Sequence, residues 1–126
     1  MVTIAAIIFT ILLTFVIVFQ LGLLFGMPWG EYVMGGRFPG TYLWKMRLVA
    51  IVQIIILFFF ALIVLIRAGI VSSRYDEFSM TAIWFVVGFL VLSVVLNLIT
   101  PSKKERAIWA PTSILLLVTS LIVAFQ

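Results

Sequence analysis

The 126-residue chain contains no cysteine and no histidine. Without cysteine there is no disulfide, no thiolate metal site and no cysteine nucleophile; without histidine the commonest general base and metal ligand are missing too. Acidic residues are scarce as well, four in all, and only 10% of the residues are charged, against about a quarter in soluble domains. So small a stock of ionisable groups argues against an enzyme, and neither a metal nor a cofactor is expected. Neither GxxxxGK[ST] nor GxGxxG occurs, so nucleotide binding has no support.

What the chain has instead is hydrocarbon, with 66% of its residues hydrophobic. Four uncharged apolar blocks run from Thr3 to Phe25, Leu48 to Ile66, Thr81 to Ile99 and Ile108 to Phe125. Each approaches or exceeds the ~20 residues that a helix needs to cross a bilayer. In lipid every backbone amide must be satisfied internally, by a helix or a closed barrel, and the blocks lack the alternation of barrel strands. The expected fold is all-α: a polytopic membrane protein with four transmembrane helices in one bundle. Residues 1–126 form a single domain, with helices at about 3–26, 45–67, 79–99 and 103–125 and a glycine-rich interfacial loop at 27–44. The first block has no positive residue ahead of it and exceeds a signal-peptide core, so it reads as a retained helix.

Charge assigns the sides. The connections between helices 1 and 2 and between helices 3 and 4 hold Arg37, Lys45, Arg47, Lys103, Lys104 and Arg106, whereas the other side has only Arg67 and Arg74. Basic residues favour the cytoplasmic face, which puts both termini outside. The same cations suit anionic lipid headgroups. Because they flank apolar segments, they point to membrane orientation and not to nucleic acid, which is not an expected partner.

The stretch from Gly26 to Gly40 holds five glycines and two prolines, a composition for tight turns. Trp29, Glu31, Gly35, Gly36, Arg37 and Arg47 mark this loop, and two readings stand. It is either an interfacial connector held to lipid by its aromatic and basic side chains, or a re-entrant segment lining a cavity. Gly22 and Gly26 have the GxxxG spacing that lets another helix approach closely. At the start of helix 4, Ser102 to Glu105 spells a capping box, Trp109 is expected at the membrane interface, and Pro111 should kink the helix.

No Asp, Glu, Lys or Arg falls inside the four blocks, so the ionisable group that pumps need is not apparent. Carboxamides are present. Gln20 near the end of helix 1, Gln53 near the start of helix 2 and Asn97 near the end of helix 3 all belong to the cytoplasmic half. Ser93 shares a face with Asn97, and Thr112 of helix 4 reaches a similar depth. Together these form a polar layer, available as interhelical glue or as the lining of a pocket.

The order PWG (Pro28 to Gly30), GGRFPG (Gly35 to Gly40), Arg47, RAG (Arg67 to Gly69) and NLITPSKKERAIWAP (Asn97 to Pro111) resembles a loose set of small four-helix bacterial integral membrane proteins to which no activity is assigned. The resemblance implies a multi-pass protein of the bacterial cytoplasmic (inner) membrane and nothing about chemistry.

Two functions are weighed on this basis. The first is a non-enzymatic helix bundle that acts by binding a partner subunit, a lipid or a small apolar molecule. The second is a homo-oligomeric channel or facilitator with a cytoplasm-facing polar vestibule, which would bring a second copy or a larger membrane complex as partner. Carboxamides bonded within one bundle favour the first; carboxamides lining a symmetry axis favour the second. An interfacial enzyme would have to use Glu31 with Arg37 or Arg47, because no nucleophile with a neighbouring base is available.

Overall fold

The computed structural model describes residues 1–28, 44–71, 73–101 and 103–126. Four long helices dominate these residues: α1 (Val2–Leu24), α2 (Trp44–Arg67), α3 (Asp76–Ile99) and α4 (Lys103–Ala124), with one turn of 3₁₀-helix at Ser73–Tyr75 leading into α3. All four are long and apolar enough to cross a membrane. The protein is thus a membrane-spanning helical bundle. Its outward faces carry exposed Ile, Leu, Val and Phe side chains, among them Ile11, Phe58, Phe59 and Phe85, as contact with lipid tails requires.

Neighbours in sequence are neighbours in space. α1 packs on α2 and α4, and α3 packs on α2 and α4, so the helices form a four-cornered ring. Side-chain contacts fix their directions. Gln20 near the end of α1 bonds Gln53 near the start of α2, and Asn97 near the end of α3 bonds Ser113 in α4. At the other end, Arg67 of α2 meets Gln126 beyond α4, and Trp84 of α3 stacks edge-on against Phe125. The bundle runs up, down, up, down. Both chain termini therefore lie at one end, and Gln20, Gln53 and Asn97 lie toward the other.

Helix ends follow from local chemistry. α1 stops at Leu24 because Gly26 takes φ = 96°, a left-handed conformation that costs glycine nothing. Its N–H and that of Met27 then reach the carbonyls of Leu23 and Gly22 at 3.3 and 2.9 Å, the paired bonds of a Schellman motif. Gly26 therefore works as a helix terminator two residues beyond the last helical residue, and Gly22 alone of the GxxxG pair is helical. α2 ends in the same way at Gly69, φ = 79°, with Gly69 and Ile70 donating to Ile66 and Leu65 at 3.0 and 3.1 Å. α3 begins at Asp76, three residues ahead of the expected start. Asp76 and Glu77 occupy its first turn, where the helix dipole favours negative charge, and Ser79 donates to the Asp76 carbonyl at 2.8 Å. α4 continues through Pro111.

One core joins all four helices, built from Ala5, Ala6 and Phe9 of α1, Leu57 and Val64 of α2, Ile83, Val86 and Leu90 of α3, and Leu116 and Val123 of α4. Lipid tails are as apolar as leucine, so burial by itself gives little drive for association here. Small residues such as Ala5 and Ala6, 2% and 0% exposed, let backbones approach, and van der Waals contact supplies the energy.

Candidate ligand-binding cavity

Between the four helices, in the half that contains Gln20, Gln53 and Asn97, lies a cavity of about 390 Å³. Ligand sites typically enclose about 300 to 1,000 Å³. Helical periodicity explains its lining. Leu13, Val16 and Gln20 share one face of α1; Gln53 and Leu57 stand one turn apart on α2; Leu90, Ser93 and Asn97 share one face of α3; and Glu105, Trp109, Thr112, Ser113 and Leu116 follow the inner face of α4. Leu13, Leu57, Leu90 and Leu116, one from each helix, lie at its deepest turn and are buried. They form an apolar floor. Beyond it the bundle closes with Phe9, Val64, Ile83 and Val86, all 0% exposed.

Polar groups share the rest of the wall with Val16, Phe19, Ile56, Phe89 and Trp109. Gln20 Nε2 donates to Gln53 Oε1 at 2.7 Å, tying α1 to α2. Gln20 Oε1 is buried and accepts no hydrogen bond among the described residues. Asn97 Nδ2 spans to α4, with Ser113 Oγ at 3.2 Å and the Trp109 carbonyl at 3.4 Å. The hydroxyls of Thr112 and Ser113 donate to the carbonyls of Ile108 and Ala110 at 2.7 and 3.1 Å. Having spent their protons on their own helix, these hydroxyls turn only lone pairs outward. Ser93 completes the set, and all five residues expected in a polar layer line this one cavity.

Two lining residues add to the sequence reading. Trp109, singled out in the sequence only for its depth near the membrane interface, is 8% exposed and packs against α1, its ring centroid 4.8 Å from Phe19 and 5.8 Å from Phe15. Glu105, expected only to cap its helix, is also 8% exposed and lines the cavity. The Thr100 hydroxyl donates to its carboxylate at 3.0 Å, and the Thr100 carbonyl accepts from Arg106 at 3.0 Å. Thr100, the residue that follows α3, thus ties the end of that helix to the start of α4. The periodicity of α4 carried the missing signal: Glu105, Trp109, Thr112 and Leu116 fall at i, i+4, i+7 and i+11, a single stripe.

Of the loop residues, Trp29, Glu31, Gly35, Gly36 and Arg37 lie outside the described residues, as does Ser102 of the capping box. Arg47 belongs to the first turn of α2. No group of His, Cys, Asp or Glu among the described residues could hold a metal ion. No family model, curated protein or solved structure matches the chain.

Proposed function

We propose that this membrane protein acts by binding a small amphipathic molecule in the half-bundle cavity. One observation carries the reading: polar side chains from all four helices converge on one partly open cavity floored by four leucines. Carboxamides used only as glue would not need a void between them. Both carboxamide bonds form within one bundle, which favours binding over a channel assembled from several copies, and the leucine floor closes the path across.

The cationic turns put the cavity mouth on the cytoplasmic side by the positive-inside rule. The resemblance drawn from the short motifs supports a bacterial cytoplasmic membrane as its location, where the basic side chains would face anionic headgroups. No catalytic role is assigned to it.

Native mass spectrometry of the full chain released from nanodiscs tests this. A bound small molecule is expected on the wild type and should vanish in Leu90→Trp, whose indole fills the floor. Proteoliposomes that conduct an ion or solute, with a flux altered in Asn97→Leu, would overturn binding in favour of the channel.

A further inference from the structure

The way into the cavity narrows the ligand, provided the binding reading above holds. In the open half, side chains close three of the four seams between neighbouring helices. Gln20 donates to Gln53 at 2.7 Å across α1 and α2. Asn97 donates to Ser113 at 3.2 Å and Thr100 to Glu105 at 3.0 Å, joining α3 to the start of α4. Trp109 of α4 lies against Phe15 and Phe19 of α1. The seam between α2 and α3 differs. Phe60 meets Phe89 edge-on across it at 5.0 Å, within a turn of the floor residues Leu57 and Leu90. From this pair toward the carboxamides the wall reaches the outside of the bundle. Only two lining residues are exposed, Ile56 of α2 at 37% and Phe89 of α3 at 43%, one on each side of this seam.

The surface around the opening is hydrocarbon: Val52, Ile55 and Phe59 of α2 and Phe85 and Leu92 of α3 are exposed there. Such an opening admits molecules dissolved in the bilayer, and a charged head would have to shed its water to pass between an isoleucine and a phenylalanine. Behind the opening stand both kinds of hydrogen-bonding group. Gln20 Oε1 is buried without a donor among the described residues, and Gln53, which accepts from Gln20, has amide N–H groups of its own to give. We infer that the cavity is entered sideways from the lipid, between Ile56 and Phe89, and takes an uncharged single-chain amphiphile whose head is a hydroxyl or a carboxamide. A head of this kind both donates and accepts, and so bonds Gln20 and Gln53 together. The chain lies on the leucine floor and points back toward the opening.

The test follows exchange as well as affinity, by fluorine NMR on the full chain in nanodiscs. The probes are octanol and octylammonium, each with a terminal trifluoromethyl group. Octanol should bind saturably, and octylammonium should load more slowly by about tenfold or more. Ile56→Trp narrows the opening and should slow binding and release of octanol together, by about tenfold each, with a much smaller change in Kd. Ile56→Ala should speed both, and serves if Ile56→Trp does not fold. Gln53→Leu should weaken octanol several-fold, as loss of a hydrogen bond to the head requires. Exchange rates that ignore the Ile56 variants, ammonium loading as fast as the alcohol, or unchanged octanol affinity in Gln53→Leu overturns the proposal. If Leu90→Trp still abolishes octanol binding in that event, the cavity reading stands without it. If neither probe binds the wild type, both fall.

Discussion

The two halves of this bundle differ in the polar side chains that bond between helices within the spans: the half away from the termini has carboxamides that do so, while at the terminus end the Arg67–Gln126 contact lies at the helix ends. In the closed half, which holds the termini, hydroxyls serve their own helix: Thr10 donates to Ala6 at 2.9 Å, Thr119 to Leu115 at 2.8 Å and Ser120 to Leu117 at 2.9 Å. No helix there depends on another for satisfaction of these groups. In the open half the polar groups cross between helices, from Gln20 to Gln53 and from Asn97 to Ser113. The difference follows from reach. A serine or threonine oxygen lies close to the carbonyl one turn back and is satisfied locally, whereas glutamine and asparagine have two donors and two acceptor sites to place and must find partners elsewhere. Local satisfaction permits close packing at the bundle centre, and in the closed half Phe9, Val64, Ile83 and Val86 are fully buried there. Cross-helix bonding holds neighbours at a set distance, and in the open half a cavity remains between them.

Three experiments probe this contrast. The largest effect is expected at Phe9, 0% exposed in the closed half: Phe9→Ala should cost about 3 kcal/mol, measured as reversible unfolding in mixed micelles, because the close packing there leaves a void that neighbours cannot fill. A cost no greater than that of Leu13→Ala at the cavity floor would break the distinction between packed and open halves. Next comes Thr100→Val, which keeps the shape and removes the donor to the buried Glu105 carboxylate. About 2 kcal/mol should be lost by the same assay; a neutral result would mean that the carboxylate is not held by this bond.

The smallest effect sharpens the comparison most. A double-mutant cycle on Gln20→Leu and Gln53→Leu should return a coupling of about 0.6 kcal/mol, the usual worth of an interhelical hydrogen bond in a membrane. Ser120→Ala paired with any residue of a neighbouring helix should return none, since its bond stays within α4. Equal couplings at the two sites would remove the proposed difference.

Much of this fold was legible in the sequence. Spans of some twenty apolar residues, separated by turns that carry charge, glycine or proline, admit little but helices, and the positions of Gln20, Gln53, Ser93, Asn97 and Thr112 along those spans set their common depth. The paired bonds after Gly26 and Gly69 were less apparent, because a glycine near a helix end reads equally as a terminator or as a packing contact until φ is known.

Depth along a helix is a property of the sequence, but rotation about its axis is not when the helix is apolar all round. With no polar face to mark the outside, α1 to α4 carry little amphipathic signal to say which residues turn inward. Only packing of the four helices against one another turned the Trp109 ring onto Phe15 and Phe19, brought Glu105 to the wall of the cavity and set one leucine from each helix in its floor. The sequence by itself determined how many times the chain crosses and at what level its carboxamides lie. The tertiary structure decided which of them meet and that a space remains between them.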